Sequence, residues 1–293
     1  MDSVPINGFT NNIYIPGRGK KMAQAWELFQ QKGIITQGVR PVIASSWERS
    51  KKADPPAFQK PLSRKELKLR QEKMATILRI SRPIMREICR LSGKNYIEFY
   101  DADGYSLEGY GNSIFPPVIG FNCSEEALGT NSIGIAFKED IPIRVEGFEH
   151  FAMWLHAYSC VAAPIHAQSG NIIGVISIIN PYGELPEWVF QILCLGALMI
   201  EKTLLNNGGS EDITEIGNTF EKIVNLVTKE SGTNKKNQGL LGNTSEDLHP
   251  YTKREDLIGK NSVSFDFKQF IPGKKRVQSS PNLIVKKGKE QRR

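Results

Sequence analysis

A chain of 293 residues with 40% hydrophobic and 24% charged residues has the apolar content for one or two packed domains, which excludes collagen-like, mucin-like and wholly disordered classes. The net charge of +7 is unevenly spread: +8 over residues 1–76, −6 over 77–204 and +5 over 205–293. Basic flanks can touch phosphates non-specifically, or they can simply be solvated surface; no membrane partner is expected.

Residues 1–22 hold no apolar stretch of signal-peptide type and read as a flexible start, so a cytoplasmic location is expected. Residues 23–76 read as a helical segment. Ala25, Trp26, Leu28 and Phe29 form one apolar cluster, and Val42, Ile43 and Trp47 form a second beyond Gly33. Asp54-Pro55-Pro56 should stop that helix, because proline disfavours helix in the residue before it. Ser63 followed by Glu66 is a capping-box signature opening a charged helix.

A sensory domain is expected over 77–205. Its first helix carries Ile77, Ile80, Ile84, Met85, Ile88 and Leu91, and Pro83 suggests a start near Ser81 as N-cap. Tyr96 to Tyr100 reads as a strand, turning at Asp103-Gly104. Ser124 can cap a helix whose first turn holds Glu125 and Glu126. A short strand at Ile141–Val145 and a short helix from Glu149 to Tyr158 follow. Cys160–His166 and Ile172–Ile179 then make a hairpin, and Trp188–Leu205 a closing helix buried on most of its face. The apolar run from Trp188 to Ile200 is shorter than the ~20 residues a bilayer requires. Residues 206–293 read as a linker and a mostly disordered basic tail, with one or two amphipathic turns around Phe220, Ile223, Val224 and Val227.

Three stretches resemble the sensory region of acetoin-catabolism-type activators of sigma-54 RNA polymerase. They are Val39-Arg40 with Ser46-Trp47-Glu48-Arg49; Gly120 through Ser124-Glu125-Glu126 to Gly129-Thr130-Asn131-Ser132-Ile133-Gly134; and Gly147-Phe148-Glu149-His150-Phe151 with Cys160–Ile165 and Gly170 to Val175. The resemblance covers residues 23–205. It implies an α/β (α+β) fold of GAF type, a central antiparallel sheet with flanking helices and a small-molecule pocket between sheet and cap. It also implies a regulatory role, with a metabolite as ligand and an ATPase-type activator or the transcription machinery as partner. Two positions depart from the pattern, Cys123 where an aromatic is usual and Tyr158-Ser159 before Cys160, so no particular ligand is implied.

The family continues into a phosphate-binding ATPase and a helix-turn-helix. Here the nearest P-loop-like string, Lys229 to Lys236, has Asn234 where the last glycine is needed and no Ser or Thr after its lysine. Lys274-Lys275-Arg276 and Lys286-Lys287-Gly288-Lys289 are basic without interleaved aromatics, so they cannot read bases. ATP hydrolysis is not expected, and the chain reads as a sensor, a truncated activator without a ligand response, or a non-specific binder of nucleic acid.

The candidate ligand-binding residues are Thr130, Asn131, Glu149, His150, Trp154 and Cys160. Glu149-His150 reads either as polar ligand contacts or as a cap with a satisfied core histidine; Thr130-Asn131 reads as ligand contacts or as a buried turn. Cys160 is a small core residue on a strand rather than a nucleophile. No catalytic residue, metal site or cofactor is expected. The spacing of Cys89, Cys123, Cys160 and Cys194, with no CxxC, fits neither a zinc ribbon nor a disulfide framework, and a redox role would need Cys123 and Cys160 to meet. Apolar terminal helices make a homodimer plausible.

Overall fold

The computed structural model describes residues 17–56, 59–92, 95–111, 119–183, 185–206 and 213–230. The basic patches near the C-terminus and most of the P-loop-like string lie outside these.

Two helices come first, α1 (Gly17–Lys32) and α2 (Pro41–Ala53). Helix α2 ends on Asp54 in the left-handed conformation, directly ahead of the two prolines. Helix α3 (Arg64–Lys73) opens with both reciprocal hydrogen bonds of the Ser63/Glu66 capping box in place.

Helix α4 (Ala75–Ser92) corrects one expectation: it does not start at Ser81, and Pro83 lies inside it. Proline cannot donate to the carbonyl four residues back. The helix continues because Ile77, Ile80, Ile84 and Ile88 bury one unbroken stripe on both sides of the proline. The Ser81 hydroxyl donates to the Ile77 carbonyl inside the helix rather than capping it.

The sheet has five antiparallel strands in the order β2-β1-β5-β4-β3: β1 (Tyr96–Asp101), β2 (Ser106–Gly111), β3 (Ile143–Glu146), β4 (Tyr158–His166) and β5 (Ile172–Pro181). Helices α5 (Glu125–Leu128) and α6 (Ser132–Glu139) cross between β2 and β3. The expected helix from Glu149 to Tyr158 is instead two 3-10 turns, Gly147–Glu149 and Met153–Ala157. Helix α7 (Glu187–Leu205) follows β5.

Strand alternation sends side chains to two layers. Ile97, Phe99, Val161, Ala163, Ile165, Ile176 and Ile178 face the apolar core shared with α4 and α7. Tyr100, Ala162, Val175, Ile143 and Val145 face a second core built with α1, α2 and α6. Helix α7 is less covered than its composition suggests. Val189, Ile192, Leu193, Gly196, Ala197 and Ile200 are buried, but Leu198 and Leu205 are each more than half exposed. It is the one helix among the described residues long and apolar enough to cross a membrane.

Beyond the linker, α8 (Ile213–Glu230) is longer than the one or two turns expected there. Ile216, Phe220 and Val224 are buried against the α4 and α7 side, so the packed body extends past residue 205.

Candidate functional site

The second core is not filled completely. Between the sheet and its cap lies a cavity of 40 Å³. A single water needs about 10–15 Å³ by this kind of measure, so the space takes about three waters, which as liquid occupy about 90 Å³. Glu98 and Tyr100 from β1, Ser177 and Ile179 from β5 and Cys160 from β4 form its floor. Leu128, Asn131, Ile133, Trp154 and Leu155 form its roof, and Cys123 closes one side.

Cross-strand register makes this floor. Glu98 stands opposite Ser177, and Cys160 opposite Ile179, so residues far apart in the chain share one patch of the sheet. The Glu98 carboxylate is buried and accepts hydrogen bonds from Tyr100 Oη at 2.5 Å and Ser106 Oγ at 3.1 Å. Burial, with the Glu98 charge adding to it, pushes the Tyr100 hydroxyl and the thiols of Cys123 and Cys160 well above their ordinary ranges. The two thiols therefore line one cavity in protonated, weakly nucleophilic form.

A second, open cleft of 280 Å³ lies between the β1–β2 turn and helices α5 and α6, with Asp103, Ser124, Glu125, Glu126 and Lys138 among its walls. It is larger but its walls are more polar. A mostly apolar space with a few convergent polar groups fits small-molecule binding better.

Of the six residues proposed from sequence, Asn131, Trp154 and Cys160 line the cavity. Asn131 also holds the roof together. Its Oδ1 accepts from the Ile133 and Gly134 amides as the N-cap of α6, and its Nδ2 donates to the Cys123 and Gly129 carbonyls. Gly129 precedes it at φ 76°, where a Cβ would sit 2.7 Å from Phe151, so glycine is required on both counts.

Thr130, Glu149 and His150 lie behind the cavity and carry the contact to the N-terminal helices. Thr130 Oγ1 meets Ser46 Oγ at 2.9 Å and Ser50 Oγ at 3.0 Å, both from α2. Glu149 takes a two-pronged ion pair from Arg40, at 2.9 and 2.7 Å, while its carbonyl accepts from the Trp47 indole at 2.8 Å. His150 is fully buried, with Nδ1 3.0 Å from the Gly147 carbonyl and Nε2 without a hydrogen-bond partner. That leaves the proton on Nδ1 and the ring neutral; burial lowers its pKa to about 4. His156 Nε2 lies 3.2 Å from the His150 carbonyl, and burial together with its His150 neighbour lowers its pKa to about 3. The His156 ring packs edge-on to Trp26 of α1.

The three stretches that carry the family resemblance thus touch one another. Arg49 pairs with Glu125 at 2.5 Å and with Glu139 at 2.7 Å, and Ser46 donates to the same Glu125 at 2.5 Å. Sequence reasoning missed Glu98, Tyr100 and Ser177, which look like ordinary strand residues until the register is known. No group of His, Cys, Asp and Glu side chains among the described residues is arranged to hold a metal ion.

Comparison with known proteins follows the same lines. Residues 76–203 match the GAF domain family. The acetoin dehydrogenase operon transcriptional activator AcoR of Bacillus subtilis is 28% identical over 220 residues, covering 70% of this chain and 36% of that protein. The signal-transduction and transcriptional-control protein of Clostridium beijerinckii is 31% identical over 136 residues, 43% of this chain and 22% of that one. The chain therefore spans about a third or less of the length of these relatives. Among solved structures, the E. coli DhaR(N)–DhaL complex is similar at 18% identity and a TM-score of 0.49, covering 70% of this chain and 68% of that one. Residues 76–203 are a GAF domain, and over 70% of its length the chain is homologous to a bacterial transcriptional activator of the acetoin operon type.

Proposed function

We propose that this chain is a cytoplasmic, non-catalytic sensor of a small metabolite, acting as the regulatory part of a sigma-54-dependent type activator. One observation carries the reading. The roof of the cavity is tied by buried and part-buried hydrogen bonds and part-buried ion pairs to the two helices that precede the GAF domain. A solute bound between Glu98 and Trp154 contacts the roof directly. It shifts the population of roof arrangements only by the difference in its affinity for them. Helices α1 and α2, held through Trp26, Arg40, Trp47 and Arg49, are the elements that report that shift to a partner, an ATPase-type activator or the transcription machinery. A second copy of the chain is a further candidate partner.

Thermal unfolding in the presence of single metabolites tests this, with acetoin as the first probe because the Bacillus relative is named for an acetoin operon. A ligand at about 100 times its Kd adds about 2.7 kcal/mol, which raises Tm by about 5 °C or more in a domain of this size. The rise should vanish in Cys160→Leu, which fills the cavity. A broad metabolite set that leaves the wild-type Tm unchanged would favour a regulator remnant with no ligand response.

A further inference from the structure

Helices α6 and α7 are separated by the sheet. Ile133, Ile135 and Ala136 of α6 belong to the cap-side core, and Val189, Leu193 and Ile200 of α7 to the core on the other face. At the last residue of β4, where the register with β5 shifts, one side chain reaches both layers. His166 Nε2 lies 2.6 Å from Oδ1 of Asp140, the residue that ends α6. Its Nδ1 lies 2.6 Å from Oε1 of Glu201 in α7. At neutral pH a carboxylate only accepts, so a ring that meets one at each nitrogen donates twice, and only the imidazolium can do that. Of the charged residues next to these carboxylates, Lys138 lines the second cleft, Glu139 pairs with Arg49 at 2.7 Å, and Lys202 is exposed.

The two contacts are not equivalent. Glu201 Oε1 also accepts the His166 backbone N–H at 2.8 Å, so it stays in place whatever the ring does. Asp140 is more than half exposed and meets β4 through the ring. Its setting calls for a cation. Asp140 stands at φ 54°, in the left-handed cap where glycine or asparagine is usual, and it puts a negative charge at the negative end of the α6 dipole. An imidazolium at that point offsets both.

We propose that His166 is a proton-operated clasp between the two layers: with a proton on each ring nitrogen it holds the end of α6 to α7, and with one proton it keeps Glu201 and releases Asp140. Burial works against the second proton, but the hydrogen bonds and charges of Asp140 and Glu201 outweigh it and hold the ring's pKa above the ordinary 6.5. The clasp is therefore closed in acid and opens as the pH rises through the folded value. Its state is passed toward the cavity, because α6 is only 8 residues, about 12 Å, long and the roof residues Asn131 and Ile133 stand at its other end. The clasp goes beyond the sensor reading and needs no ligand.

The test uses the full chain without added ligand. Ring-nitrogen NMR from pH 5.5 to 8.5, assigned with His166→Gln, should give a His166 midpoint above 6.5, with Nε2 losing its proton and Nδ1 keeping it. Asp140→Asn, which tolerates the left-handed backbone, should lower that midpoint. Amide protection over residues 137–140, corrected for the intrinsic effect of pH on exchange, should fall by about threefold above the midpoint, as expected for one part-exposed charged contact. That fall should be absent in His166→Gln and in Asp140→Asn. A midpoint at or below 6.5, loss of the Nδ1 proton first, or protection that is flat across the midpoint overturns the proposal, as does the same fall in either variant. The wild-type titration and Asp140→Asn decide the matter if His166→Gln does not fold. None of these outcomes bears on metabolite binding, so the sensor reading stands or falls by its own experiment.

Discussion

The two faces of the central sheet differ in kind although the same strands make both. On the side of α4, α7 and α8, buried residues such as Ile97, Phe99, Ile176 and Ile178 meet Leu78, Ile84, Leu193 and Ile200 in a continuous apolar core. On the side of the cap, the next residues along those strands are Glu98, Tyr100 and Ser177, and above them the packing leaves a void. A polar group buried there costs free energy unless it is paired within the protein or with a guest. The first face supplies stability by removing apolar area from water; the second gives up some of that for a space that can be occupied.

That contrast can be broken where it is strongest. Leu78→Ala, on the fully buried helical side, should lower the free energy of unfolding by about 3 kcal/mol in urea titrations, while leaving the ligand preference of the folded protein unchanged. A smaller loss than about 1 kcal/mol would mean that this face is looser than its burial implies.

A second effect belongs to the cap side alone. His150 and His156 hold pKa values of about 4 and about 3 in the folded protein, against about 6.5 when exposed. Between pH 6.5 and 4 the unfolded chain binds more protons at these sites than the folded one, so stability falls as the pH is lowered through that window. Each histidine adds about 1.4 kcal/mol per pH unit to the slope where only the unfolded form is protonated. His166 works the other way. Burial opposes its protonation, but Asp140 and Glu201 outweigh that and raise its pKa, so its contribution is present in acid and lost as pH rises. Tm measured from pH 7.5 to 4.5 should therefore fall in acid, and His156→Gln should make the fall shallower. An unchanged acid limb in that variant would place His156 in water rather than in the core.

The smallest effect sharpens the link between cap and N-terminal helices. Trp47→Phe keeps the ring against Phe29 but removes the N–H that the Glu149 carbonyl accepts. The expected cost is about 1 kcal/mol, with faster amide hydrogen exchange in α2 and the 147–157 segment and little change in α4. Uniformly faster exchange would show that the two faces unfold as one unit.

Much of this architecture could be read from neighbouring residues. The Ser63/Glu66 box, the stop at Asp54 before two prolines, the Asp103-Gly104 turn and the strands on either side of Gly170 each follow from contacts within a few positions, so the sequence alone determined them. The stripe on α4 was equally plain, although Pro83 concealed its true start. The cavity was another matter. Glu98 joins the floor because the register sets it opposite Ser177, and Glu149 leaves the ligand side because Arg40, 109 positions earlier, takes its carboxylate. Pairings over such separations depend on how helices stack on a sheet once both exist, and no local pattern of charge or hydrophobicity encodes them. Tertiary packing therefore decided which of the candidate residues enclose a space and which hold its roof to the helices outside.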